Sequence, residues 1–151
     1  VDEWLLFRKD FGVPQEDRLI LKIQNVEDAT RTAEQVQTFC LDRGFTPKTA
    51  YYSALCLEEM AGNVAVHGFT KDRKPHEADA RVVVKDGRVL LRIKDDCVPF
   101  DPLERAEQMN PGDLSKNIGI RLVVKLADET VYQNLLGLNV FTIRLSDRSM
   151  A

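Results

Sequence analysis

The sequence predicts an α+β protein, a two-layer α/β sandwich in which helices cover one face of a mixed, mostly antiparallel sheet. Two hairpin patterns and a pair of consecutive long helical patterns carry that prediction. ARVVVK (80–85) and RVLLRIK (88–94) flank Asp86-Gly87, a dipeptide suited to two-residue hairpin turns. TVYQNLL and LNVFTIRL flank Gly137 in the same manner. Helices gathered together beside antiparallel hairpins argue against a doubly wound parallel sheet.

Taken in order, residues 1–17 mix Trp4, Leu5, Leu6 and Phe7 with charges and read as a leading segment, the end of an upstream region. Residues 18–151 read as one domain. RLILKI, from Arg18 to Ile23, is too short for a helix and rich in branched residues, so it predicts a strand. Val26, Ala29, Ala33, Val36 and Cys40 recur at three- and four-residue intervals ahead of Gly44, which predicts a helix with a glycine C-cap. Thr46 and Pro47 supply the N-cap and first-turn proline of a second helix, expected to run through Leu57, Ala61 and Ala65 to Gly68. Asp101 to Asn117, with Pro102, Pro111 and Gly112, reads as a mobile flap holding at most a turn of helix around Leu103 to Met109. Ser115 is expected to cap a third helix across Gly119 to Ala127, before the closing hairpin.

Composition narrows the function classes. A net charge of -3 offers no general field for nucleic acid. No apolar run approaches the roughly 20 residues of a membrane span, so no membrane contact is expected from this segment. Cys40, Cys56 and Cys97 are odd in number and lack C-x-x-C spacing, which argues against a disulfide framework and a zinc site and fits a reducing cytoplasm. Since the chain begins at Val1, a cytoplasm-facing domain of a longer protein fits as well.

Three segments carry chemistry. In LEEMAGNVAVHGF, Glu59, Asn63 and His67 are four residues apart and so project from nearly one helix face. A carboxylate one turn from an amide suits a Mg²⁺ shell shared with phosphates and waters, the amide carbonyl being the better direct ligand. The carboxylate could orient an attacking hydroxyl or take its proton. Spacing alone does not separate this from a solvated charge at Glu59 with Asn63 and His67 merely satisfying backbone groups in the core. In LLRIKDDCVPFDP, Asp95 stands where an apolar strand stops; it could accept a hydrogen bond from an exocyclic amine, or open a turn with Asp96. In SKNIGIRLVV, Lys116, Asn117 and Gly119 stand at a helix start, where free N–H groups favour a phosphate. A capped amphipathic helix reads equally from that stretch alone.

In this order and spacing the three segments resemble the GHKL (histidine kinase-like) ATPase superfamily, especially its anti-sigma-factor serine/threonine kinase branch, from about Arg18 to Leu145. Glu59, Asn63 and His67 match the N-box, Asp95 matches the aspartate of the first glycine box, and Asn117 to Gly119 match the second. The resemblance implies the Bergerat-type ATP-binding fold, with ATP and Mg²⁺ as cofactors. It implies Asn63 as Mg²⁺ ligand, Glu59 as catalytic base and Asp95 on the adenine amine. His67, Lys116, Asn117 and Gly119 would line the nucleotide site. It also implies a regulatory protein partner, an anti-anti-sigma-like substrate or a sigma-like factor, and is compatible with a homodimer. VPFDP and LADETVY look like the same branch. Cys97 stands where the first box usually has Gly, and Asn117 replaces the first Gly of the second. A noncatalytic partner-binding module with a degenerate nucleotide site is the alternative.

Overall fold

Leucine, isoleucine and valine side chains at alternate positions build the sheet that everything else rests on. The computed structural model describes residues 14–69, 75–99 and 118–148. The leading segment to Val13, the flap expected at 101–117 and the Ser115 cap lie outside the described residues. A short 3₁₀ turn (Gln15–Asp17) enters β1 (Arg18–Ile23), followed by α1 (Val26–Asp42), α2 (Pro47–Asn63), a π-helical turn (Val64–Gly68), β2 (Ala78–Lys85), β3 (Arg88–Asp95), α3 (Ile118–Leu126), β4 (Glu129–Leu135) and β5 (Leu138–Ser146).

The strands lie in the order β1-β2-β3-β5-β4. Among the described residues every pairing is antiparallel. Ala80, Val82, Leu91, Ile93, Phe141 and Ile143 point to one face and join Val36, Leu57, Met60, Ile120 and Val123 of the helices in a single core. The pleat puts successive side chains on opposite faces, so one register fixes this whole apolar set toward the helices. The expected sandwich with helices on one face is therefore the observed architecture. No helix among the described residues is long and apolar enough to cross a membrane.

Local chemistry fixes the helix ends. Thr46 Oγ1 accepts from Thr49 N at 3.3 Å, and Pro47 follows in the first turn, as the sequence predicts. Asn25 caps α1 by accepting from Asp28 N at 2.9 Å. At the other end Gly44, at φ +86°, lets Phe45 N reach Cys40 O and Gly44 N reach Leu41 O, both at 3.1 Å. That pair of bonds satisfies carbonyls the helix would otherwise leave open.

The second helix differs from expectation. It is α-helical only to Asn63, after which Phe69 N donates to Val64 O, five residues back, at 2.9 Å. A π turn inserts an extra residue into the helical circuit, so the last turn is wider than the α-helix before it. His67 lies within this π turn and is exposed.

Both hairpin turns place two residues at positive φ. Asp86 and Gly87 are suited to it, whereas in the second turn the first position is Leu136, at φ 55° and 89% exposed. A left-handed leucine costs roughly 1–2 kcal/mol, and its side chain gains no burial in return. Leu136→Asn is expected to stabilise the protein by about 1 kcal/mol, because Asn tolerates this conformation. Thermal or denaturant unfolding of the two proteins checks it; an unchanged or lowered stability would refute the strain.

Candidate nucleotide site

The end of the sheet beneath the helices carries a polar cluster in an otherwise apolar layer. Asp95, the last residue of β3, is 8% exposed and pairs across the ladder with Asn139 of β5, 5% exposed. Asn139 Nδ2 donates to Asp95 Oδ1 at 2.9 Å and to Cys97 O at 3.1 Å. Cys97 N donates to the same Asp95 oxygen at 3.0 Å. Tyr132 Oη and Asn134 Nδ2 donate to Asn139 Oδ1 at 2.5 and 3.1 Å. Asp95 Oδ1 thereby accepts two hydrogen bonds, which fix the orientation of the carboxylate. This geometry is what an amine-reading carboxylate needs.

Asn139, Tyr132 and Asn134 were not singled out from the sequence. The signal was present at Asn139: in LNVFTIRL it falls on the inward alternation shared by Phe141, Ile143 and Leu145, where a polar side chain must find a partner.

The second cluster lies between α2 and the start of α3. An added Cβ at Gly119 would overlap Glu59 Oε2 and approach Cδ to 3.0 Å, so the Glu59 carboxylate rests on the glycine of that first turn. Gly119 is needed here for close approach rather than for a special backbone angle. Burial, assisted by neighbouring Glu58, raises the Glu59 pKa above its ordinary 4.5. One turn on, Asn63 Nδ2 is buried without a hydrogen-bond partner. The amide is a hard-oxygen donor paired with an orphaned N–H group, next to a carboxylate and a helix start, and the set fits a phosphate with its Mg²⁺.

The two clusters are tied together through Cys97. Its sulfur lies where a Cβ on Gly68 would meet it at 3.0 Å, so the loop after β3 packs directly on the π turn that follows Asn63. Among the described residues positive φ outside glycine occurs at Asp86 and Leu136, so Cys97 occupies ordinary backbone and its replacement of glycine brings no left-handed strain. A cleft of about 590 Å³ opens beside Asp95, lined by Ile23, Ala78, Lys94, Asp96 and His76 among others. It reaches Asp95 but neither Glu59, Asn63 nor Gly119, so a ligand confined to it would touch only one end of the site. Lys116 and Asn117 lie outside the described residues, and His67 is exposed on the π turn.

Removing the central amide should be costly. Asn139→Ala removes the bonds that Tyr132 Oη and Asn134 Nδ2 donate and one of the two that Asp95 Oδ1 accepts, and is expected to lower unfolding stability by about 1–3 kcal/mol. Tyr132→Phe, which deletes one bond and keeps the Asp95 contact, is expected to cost less. Equal losses in chemical denaturation would show that Asn139 is not the hub.

Comparison with known proteins gives the family of the chain. The family described as "Histidine kinase-like ATPase domain" matches residues 23–145. Among solved structures, the histidine kinase domain of the Erythrobacter litoralis blue-light activated histidine kinase aligns with TM-score 0.52 and 20% identity over 81% of this chain and 60% of that one. A longer structure of the Erythrobacter litoralis blue-light activated histidine kinase aligns with TM-score 0.54 and 20% identity, over 83% and 42%. The chain thus spans about three-fifths or less of those two proteins, and at this identity the likeness is one of fold. Comparison with curated proteins gave no match. On the family match, which covers most of its length and all of Glu59, Asn63, Asp95 and Gly119, the chain belongs to the histidine kinase-like ATPase domains, the ATP-binding domains of the GHKL superfamily.

Proposed function

We propose that this domain binds ATP with Mg²⁺ and serves as a serine/threonine protein kinase, or an ATP-dependent regulatory switch, of the anti-sigma-factor kind. The observation that carries the reading is the Glu59 carboxylate seated on Gly119 in the first turn of α3. It puts a group able to take a proton beside backbone N–H groups that favour a phosphate. When bound, Mg-ATP would supply a transferable phosphoryl group with its charge partly neutralised. Asn63 would hold the metal through its carbonyl oxygen, and Asp95 Oδ2 would accept from the adenine amine.

Glu59 would take the proton of the partner's attacking hydroxyl. Its raised pKa supports that role, since a base is more effective when its proton affinity approaches the working pH. The partner is a regulatory protein presenting a Ser or Thr hydroxyl, resembling an anti-anti-sigma substrate or a sigma-like factor. The setting is cytoplasmic, or the cytoplasmic side of a longer protein.

A second reading, a noncatalytic module that captures a regulator, is favoured by one feature. The Cys97 side chain occupies space against Gly68 that a glycine in the first box would leave open. Intact-mass measurement of the partner after mixing with the domain, ATP and Mg²⁺ separates the readings: added phosphate on the partner supports the kinase, and tight capture without phosphate supports the module.

Substitutions test the site itself. Asp95→Ala is expected to weaken ATP binding at least tenfold by calorimetry, and unchanged affinity would overturn the assigned pocket. Glu59→Gln is expected to retain binding and lose turnover. Gly119→Ala should impair turnover too, because its methyl group displaces the Glu59 carboxylate; wild-type rates in that variant would show that the contact does not position Glu59 for catalysis.

The sign of the pH effect at Glu59 is also determined. With its folded pKa raised, the folded state holds a proton the unfolded chain has released, so this group's contribution to stability falls as pH rises above 4.5 through the folded value. Glu59→Gln should therefore be at least as stable as the parent at neutral pH, with the difference vanishing toward pH 4 (about the unfolded value). A variant less stable at neutral pH than at acid pH relative to the parent would contradict the desolvated carboxylate.

A further inference from the structure

We infer that His76, Asp96 and Cys97 form a site for a thiophilic divalent metal of the Zn²⁺ class, at the junction of the segment before β2, the loop after β3 and the π turn. Their ligand atoms all lie within 4.8 Å of one another. His76 Nδ1 is 3.1 Å from Asp96 Oδ1. Nitrogen and oxygen ligands on a tetrahedral zinc ion sit about 3.3 Å apart, and sulfur about 3.5 Å from either. One edge of the polyhedron is therefore close to its bound length already, and closing the sulfur onto the ion takes about 1 Å of side-chain movement.

The backbone holds the donors in place without the metal. Glu77 N donates to Asp96 Oδ1 at 2.9 Å, and Asp96 N to Glu77 O at 3.3 Å, so the strands' entry and exit are already clamped together. The His76 side chain is 6% exposed and that of Asp96 43%. Cys97 is 5% exposed. Imidazole and thiol thus form a recessed floor, with the carboxylate at its mouth. His76 and Asp96 also line the 590 Å³ cleft, which provides an entry path and room for a water as fourth ligand.

The donor set selects the ion. Thiolate with imidazole favours zinc-like metals over Mg²⁺ or Ca²⁺, which prefer all-oxygen shells. Binding would release the Cys97 thiol proton to solvent and change no oxidation state. The other two thiols offer nothing comparable: Cys40 and Cys56 are fully buried, and burial pushes each up to about 12. This site is distinct from the Mg²⁺ position at Asn63, and its readout is the metal itself, so it stands or falls apart from the nucleotide reading.

The test uses the whole 151-residue chain. After dialysis against Zn²⁺, one ion per chain is expected by elemental analysis. The Co²⁺ form should show a thiolate-to-metal charge-transfer band. Cys97→Ala should abolish that band, and His76→Ala and Asp96→Asn should each weaken Zn²⁺ binding at least tenfold against a chromophoric chelator. Circular dichroism identifies any variant that fails to fold, and in that case the spectrum of the unaltered chain decides. A Co²⁺ form of the unaltered chain without a thiolate band would overturn the site, as would a band that survives in folded Cys97→Ala.

Discussion

Asp95 puts a carboxylate at the end of a layer made mostly of alanine, valine, leucine, isoleucine and phenylalanine. Such a group is tolerated there when hydrogen bonds hold it, since an unpaired buried polar atom costs more than a typical hydrogen bond returns. Asn139 meets that requirement from the neighbouring strand at 2.9 Å, and the Cys97 amide meets it from the same chain two residues on. Once these bonds exist, the register of β3 on β5 cannot slip by one residue without turning both side chains to the opposite face. The register that buries Leu91 and Ile143 is thus the register that aims Asp95.

The same constraint reaches the helices. The loop that follows Asp95 carries Cys97 onto Gly68, and the π turn containing Gly68 continues directly from the helix that bears Glu59 and Asn63. At the far side Gly119 accepts the Glu59 carboxylate in a space where any side chain would collide. Two glycines therefore set how closely sheet end, second helix and third helix converge.

Legibility in the sequence varied with the range of the interaction. Strand and helix positions followed from periodicity, and Thr46-Pro47, Gly44 and Asp86-Gly87 acted within a few residues of themselves, so their roles could be read locally. The π turn after Asn63 was less legible, because no residue type announces it. Leu136 is a comparable case, a left-handed position that the neighbouring Gly137 marked as a turn without showing that leucine would share the strain.

What the sequence by itself determined was the layer architecture, the Thr46-Pro47 and Gly44 helix ends, the hairpin turns, and which polar side chains stand on the helix and at the strand end. These depend on neighbours up to about one helical turn or one hairpin away, and that information is written along the chain. Only the tertiary structure decided that Asn139 holds Asp95 across a separation of 44 residues, that Glu59 rests on Gly119, and that His76 meets Asp96 and Cys97. Each of these contacts exists because strand order and helix packing bring remote segments within a few ångströms, and in a linear sequence a residue's chemistry is visible while its partner is not.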